Sequence, residues 1–447
     1  MPNLSNKINI LHNFPQWQRG AVLMVMLVIL ILGATAMLLN SLNSSTQQLA
    51  RAKITADALA QAKEALIGYA ASIVLTGSNR PGDLPCPDLN NDGAAESACG
   101  NATGTTGQTQ RIGRLPWKTL GLPDLRDGSG ERLWYAVSNN FKKNTRTALL
   151  NSDTVGTITV RASDGSLLND GSNSSGAVAI IIAPGNILQR TDKTSTQNRS
   201  STGENNPENY LETANGEDNA TFTDSSIDGF IQGSIKDAND HVILNDQILV
   251  LSHDNIMQSI QKRVAGEVKN CLNSYASAGN GRYPWAVPIT DLTNYLDQSN
   301  TLFGRIPDDM NRTKTDSTLI MSNQWAGSCQ THIAFTPSAW WLQWRELVFY
   351  SLSDKFKPNS AVAPNFSTTC AIVGNCLTIN NISNPSRYLI IVAGKKLGTP
   401  DQTLRDINKT NASYYLEGGN ESADQSGVYT FIQNPPSTTF NDTMVYQ

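Results

Sequence analysis

From Ala21 to Leu39 the chain carries no charged residue, and only Gly33 and Thr35 interrupt the large apolar side chains and alanines. At about 1.5 Å of rise per residue this run nearly crosses a hydrocarbon core of about 30 Å. It is longer than the apolar core of about 7–15 residues in a cleaved signal peptide. The chain then continues as "SLNSSTQQLARAKITADALAQAKEALIGYA", with no proline and no glycine until Gly68. Leu42, Leu49, Ala52, Ala56, Leu59, Leu66, Tyr69 and Ile73 recur there at helical spacing. The pattern predicts one helix over 21–75, roughly 80 Å long, membrane-spanning over 21–39 and amphipathic beyond.

The polar and apolar pattern further along is written twice. "KEALIGYAAS" at Lys63 is answered by "KNCLNSYASA" at Lys269, "GRLPW" at Gly113 by "GRIPD" at Gly304, and "RLWYAVSNNFK" at Arg132 by "LVFYSLSDKFK" at Leu347. "GAVAIIIAPG" at Gly176 is answered by "SRYLIIVAGK" at Ser386, "NYLETANGE" at Asn209 by "YYLEGGNES" at Tyr414, and "LNDQILVLS" at Leu244 by "FNDTMVYQ" at Phe440. Six pairs in one order, offset by 191 to 215 residues, point to a duplication. The expected modules are 76–253 and 254–447. The second opens on its own helix, where Ile256, Ile260, Val264, Val268, Leu272 and Tyr275 form one apolar face and Asp254 caps the start. "GTITVRA" alternates like a half-exposed strand, "AVAIIIA" and "RYLIIVA" read as buried central strands, and "DQILVLS" closes the first module. The expected class is α+β: a long N-terminal helix, then two duplicated modules, each a helix packed on an antiparallel sheet.

Composition narrows the partners. The formal charge is −4, and removal of Lys7 and Arg19 with the first twenty residues takes it to −6. No basic run follows the apolar segment, so nucleic acid is not an expected partner. The stretch "QRTDKTSTQNRSSTGENNPENYLETANGEDNATFTDSS" from Gln189 is too polar to bury much and is expected as an exposed, mobile excursion. The six cysteines all lie after the apolar run and include no CxxC. In an exported chain they point to disulfides. Fifteen pairings are open; sequence neighbours give Cys86–Cys99, Cys370–Cys376 and, by elimination, Cys271–Cys329.

The flank before the apolar run, "MPNLSNKINILHNFPQWQRG", carries Lys7 and Arg19 and no acid, which favours a cytoplasmic N-terminus, and it ends in Arg-Gly. Here the chain resembles the type IV prepilins and the pseudopilins of type II secretion. Their basic leader ends in glycine and is removed by a prepilin peptidase, and the apolar segment becomes the start of the mature chain. The resemblance implies a leader over 1–20, cleavage between Gly20 and Ala21, and methylation of Ala21. It further implies an inner-membrane anchor with a periplasmic headgroup, and other pilin or pseudopilin subunits as partners. Most pilins carry glutamate at the fifth mature position; this chain has Val25, like the K-type minor pseudopilin at a filament tip. A minor or tip subunit is therefore the expected role. A membrane-anchored adhesin using the Asn/Ser/Thr-rich loops or the tryptophans of "SAWWLQW" is the alternative.

The most chemical-looking loop is "CPDLNNDGAAESAC". Asp88, Asn90 and Asp92 occupy positions one, three and five of a D-x-N-x-D-G pattern, Ala94 offers a carbonyl at seven, and Glu96 stands at nine. That oxygen spacing suits Ca²⁺, but Cys99 stands where a bidentate glutamate would close an EF-hand, and a clamped polar turn without an ion explains it as well. The charges of Asp124, Arg126, Asp127, Glu131 and Arg132 read as a solvated salt-bridge loop. No HExxH, G-x-S-x-G, P-loop or dinucleotide fingerprint is present, and the chain is not expected to be an enzyme.

Overall fold

The structure, a computed structural model, describes residues 18–447 except 77, 101–111, 145–148, 191–194, 201, 223–228, 279–280, 309–324, 326–328, 330–337, 361–363, 373 and 381. Most of the predicted leader, 1–17, lies outside the described residues, as do the side chains of 18–25, 28–29, 32–44 and 382–384. The protein is a mixed α+β molecule. Among the described residues no helix is long and apolar enough to cross a membrane; the predicted span 21–39 falls largely on side chains outside them.

Helix α1 runs Gln18–Ser72 without a break. Strands β1 (Ile112–Arg114), β2 (Trp134–Val137), β3 (Thr159–Ala162), β4 (Leu167–Asn169), β5 (Ala179–Ala183), β6 (Gly229–Gln232) and β7 (Gln247–Leu251) follow. Helix α2 (His253–Ala278) precedes β8 (Phe303–Arg305), the short α3 (Ala339–Trp344), β9 (Val348–Leu352), β10 (Leu377–Ile379), β11 (Ile382–Ser386), β12 (Tyr388–Val392), β13 (Thr430–Phe431) and β14 (Thr443–Tyr446). One antiparallel sheet has the order β1-β2-β5-β7 and the other β8-β9-β12-β14. Each is accompanied by a smaller sheet, β4-β3-β6 or β11-β10-β13. In both of these the last pair is parallel, a feature that no local pattern announced.

The main sheets are covered on both faces, which is why β5 and β12 read as unbroken apolar runs. Their inner faces share one core with the two helices: Leu59, Leu66 and Ala70 of α1, Ile260, Val264 and Leu272 of α2, Tyr135 and Ile181 of one sheet, Tyr350 and Ile390 of the other. The outer faces, with Ile180 and Ile182 or Leu389 and Ile391, pack under the smaller sheets. Each such fully buried side chain contributes about 2 kcal/mol. All six predicted face residues of α2 are buried. Asp254 lies in the first turn but does not cap: its carboxylate meets His253 Nδ1 at 2.9 Å and Lys395 Nζ at 2.8 Å.

The buried stripe of α1 is shorter than its sequence pattern. It starts at Thr55 and continues through Ala58, Leu59, Ala62, Leu66, Ala70 and Ile73, whereas Ser45–Ile54 is exposed and Leu49 is 72% accessible. Ala52 and Ala56, expected on the packed face, are exposed too. The sheet meets only the last five turns or so of the helix. Ahead of the sheet, the loop residue Gly128 touches the helix: an added Cβ there would lie 2.2 Å from the Arg51 carbonyl oxygen. A second close approach explains the repeated Gly-Arg. A Cβ on Gly113 would stand 2.7 Å from the Asp88 carbonyl oxygen, and one on Gly304 only 1.9 Å from that of Val287.

One repeat needs a one-residue correction. Trp134 pairs with Ile182, and its counterpart Phe349 pairs with Ile391. Ile182 therefore answers Ile391, not Val392 as ungapped matching of the runs places it. A slip of one residue exchanges the two faces of a strand.

Candidate functional site

Gly20 and Ala21 fall within the backbone of α1, two residues into the helix. From there to Ile54 the helix has no sheet beneath it in the described contacts, and Met26, Leu27, Leu30 and Ile31 are exposed. These four side chains are exposed apolar neighbours on one stretch of helix, and clustered apolar surface of that kind marks an interaction face.

The loop between Cys86 and Cys99 is closed by a disulfide with a Cα–Cα distance of 5.7 Å, and Cys271–Cys329 and Cys370–Cys376 are bonded as well. Inside the first loop, Asp88 is buried, and its oxygens accept from the amides of Asn90 (3.1 Å) and Gly93 (2.6 Å). Asn90 Oδ1 accepts from the Asp92 amide (3.0 Å) and Asp92 Oδ1 from the Ala94 amide (2.7 Å), while Glu96 Oε1 accepts from Leu89 at 3.4 Å. The loop is a ladder of side-chain-to-amide turns. Asp88 is buried while Asn90 and Asp92 are exposed, and the oxygens of all three are engaged by the loop's own amides. Among the described residues no three His, Cys, Asp or Glu side chains gather as for a metal ion. Burial pushes the Asp88 carboxyl above its ordinary value, only partly offset by the amides. Asp88→Ala should cost about 1–3 kcal/mol by stranding the buried Gly93 N–H and removing the acceptor of the part-buried Asn90 N–H. The melting temperature of the wild type should be the same in calcium and in chelator; a chelator-induced drop abolished by the substitution would restore calcium to this loop.

The charged loop is not simply solvated. Asp124 holds Arg132 (2.8 Å) and Arg126 (2.7 Å) near the surface. Asp127, in contrast, is buried and accepts from the amides of Ser129 (2.8 Å), Glu131 (2.9 Å) and Gly185 (2.9 Å), tying the loop to the end of β5. Trp340, Trp341 and Trp344 are buried in the shared core. His253 meets the Ser152 carbonyl oxygen at 2.9 Å rather than a hydroxyl, and Ser152 Oγ accepts from Gln261. The other ring nitrogen of His253 meets Asp254, so both nitrogens are engaged by groups other than a hydroxyl or thiol.

The densest polar constellation is one that pattern reading passed over, although its residues lie inside the repeated "NYLE/YYLE" and "LND/FND" words. Glu212 accepts from Gln197 Nε2 (2.7 Å) and from the Asn245 amide (3.0 Å), and its own N–H donates to Asp246 Oδ2 (3.1 Å). In the second half Glu417 accepts from Gln402 Nε2 (2.5 Å) and from the Asn441 amide (3.1 Å), and donates to Asp442 Oδ2 (3.1 Å). Asn219 exchanges two hydrogen bonds of 2.8 Å with the backbone of Ile231, and Asn420 does the same with Ile432. Arg199 donates to Gly185 O (2.7 Å) and Gln197 Oε1 (2.8 Å) and lies 4.9 Å over the Tyr210 ring. Arg405 donates to Gly394 O (2.9 Å) and Gln402 Oε1 (2.8 Å), 4.9 Å over Tyr415. Burial raises all four carboxyls; Glu212 is pushed up to about 7, and the neighbouring glutamate adds to the effect on Asp246 and Asp442.

This frame corrects the expected excursion from Gln189. Gln197, Asn209, Glu212 and Asn219 are buried there, together with Tyr210, Leu211 and Phe222. Glu212 also borders a recess of about 200 Å³ with Arg190, Glu208 and Asp218. Larger grooves flank the helices at matching places. One of about 280 Å³ holds Arg51, Thr55, Asn186 and Asn245, and one of about 540 Å³ holds Met257, Gln261, Lys395 and Asn441.

Compared with known proteins, the chain matches no family model, no curated protein and no solved structure.

Proposed function

We propose that the chain is a minor pilin- or pseudopilin-like structural subunit of a type IV pilus or type II secretion filament, acting at or near the tip. The observation that carries this reading is α1: one unbroken 55-residue helix whose C-terminal part is seated on a sheet from Thr55 while the side chains of Ser45–Ile54 are exposed. Such a helix suits lateral packing against other helices, and the apolar run before it suits membrane storage. On this reading 1–20 is a leader cut between Gly20 and Ala21 by a prepilin peptidase, and 21–39 spans the inner membrane. The periplasmic headgroup is a duplication, 76–253 and 254–447. The two main sheets of like order and the repeated carboxyl frame favour that division. The adhesin reading loses its tryptophans, which are buried in the core.

Intact-mass analysis of the membrane fraction tests the assignment. In cells with the peptidase the mature chain should begin at Ala21, and in cells lacking it the leader should remain. A leader retained in both strains, or a cut after Leu39, would overturn the reading.

A further inference from the structure

Each Glu–Asp frame places two acids and one arginine out of water. In the first module Glu212 and Asp246 are 2% and 0% accessible, and Arg199 is the guanidinium that faces them. That arginine also faces the partly exposed Glu131, 3.5 Å away, while Asp127 approaches the same corner but spends its Oδ2 on the Gly185 amide. In the second module Arg405 faces Glu417 and is shared with Asp153 at 2.9 Å. Lys395 contributes its carbonyl to Asn441, and its ammonium lies on Asp254. With both acids ionised, either cluster carries an uncompensated buried negative charge, which costs several kcal/mol. One proton per pair removes it.

In the first module the hydrogen bonding points the same way, whereas in the second the corresponding Asp442 Oδ1 accepts from the Gly394 amide at 3.3 Å. Asp246 Oδ1 is buried with no hydrogen-bond partner, although Glu212 and Asp246 are within side-chain hydrogen-bond reach. A bare acceptor there is unpaired, whereas a hydroxyl there has a carboxylate to donate to. We propose that each module binds one structural proton, shared by its Glu–Asp pair, and that loss of this proton releases the polar excursion from the end of the main sheet. The excursions concerned are 197–222 and 402–423. They are held through the paired glutamates, Gln197 or Gln402, and Asn219 or Asn420, so both modules loosen by one mechanism.

The direction with pH follows from burial. A carboxyl whose folded value lies above its ordinary 4.5 favours the fold while it keeps its proton. Its contribution is complete below the ordinary value and is lost as pH rises through the folded values of the pair, starting at about 7 for Glu212 and ending higher, at Asp246, where burial and the neighbouring glutamate hold the last proton. Amide hydrogen exchange of the full-length chain between pH 6 and 9, corrected for the intrinsic chemical rate, reads this directly. Protection in 197–222 and 402–423 should fall by up to about tenfold per pH unit above the transition, while β5 and β12 keep theirs. Asp246→Asn sets an amide where the proton sits, so in D246N the first excursion should lose its pH dependence while the second retains it. Wild-type protection that is flat with pH overturns the proposal, whether or not the variant folds. So does D246N that leaves 197–222 as pH-dependent as before, or equally loosened at every pH, which is the signature of a merely structural contact.

Discussion

Arg405→Leu should lower the stability of the headgroup by about 3–5 kcal/mol, the range for removing one partner of a buried charged pair. The Arg405 side chain is 1% accessible. It donates to Tyr414 O at 2.7 Å, Gly394 O at 2.9 Å, Gln402 Oε1 at 2.8 Å and Asp153 Oδ1 at 2.9 Å. Leucine replaces none of these: the Tyr414 and Gly394 carbonyls lose this donor, and Asp153 and Gln402 are left with the Lys396 and Leu397 amides alone in place of a charged partner. Asp153 belongs to the first half and also accepts from the Lys396 amide (2.9 Å). Beside it Asn151 Nδ2 donates to Gln343 O (3.0 Å), so this corner joins the two halves. The loss should therefore break cooperativity as well as stability, and urea transitions followed by different probes should separate. Arg405→Lys should recover little, since a single ammonium cannot serve a fork of four acceptors. Arg199→Leu should cost less, because its carboxylate partner Glu131 lies 3.5 Å away, against 2.9 Å for Asp153 and Arg405. A loss below about 1 kcal/mol for Arg405→Leu would show that the frame is not what holds the halves.

The contrast between what pattern reading finds here and what it misses is physical. The α2 face, the central strands β5 and β12 and the six repeated words were legible because each is set by local periodicity or by apolar runs. Two disulfides were legible because neighbours in sequence were neighbours in space, and Cys271–Cys329, 58 residues apart, followed by elimination. The excursion from Gln189 was misread because composition counts polar residues without showing that they pair. Gln197 and Glu212 satisfy each other across fifteen residues, and Glu212 reaches the Asn245–Asp246 turn across more than thirty. Asp127 was misread for the same reason: its neighbours in sequence are charged, but its partners are amides. The one-residue slip between β5 and β12 arose because a run buried on both faces carries no alternation to fix its register. The calcium pattern was a spacing that three consecutive side-chain-to-amide turns also produce.

Immunogold labelling of sheared filaments should find this chain in few copies and at filament ends, and its deletion should reduce filament number without altering the shaft. The expectation rests on the proposed pilin-like role and on two features of the chain. An acid in a hydrocarbon-embedded helix is tolerated only when paired. In most pilins the acid at the fifth mature position finds its partner on the neighbouring subunit, which fixes the register of the growing shaft. This chain has Val25 there, so its helix can leave the membrane with no subunit ahead of it. The second feature is bulk. Two four-stranded sheets, each with a smaller sheet on its outer face, share one core around α1 and α2. The second module thus occupies flank of α1 and sheet that a close-packed shaft would need for neighbouring subunits. A subunit that requires nothing above it and crowds what lies beside it belongs at an end. Label spread evenly along the shaft, at copy numbers near those of the main subunit, would defeat this placement; a Val25→Glu substitution should move some of the label inward only if register, rather than bulk, is what confines the chain to the tip.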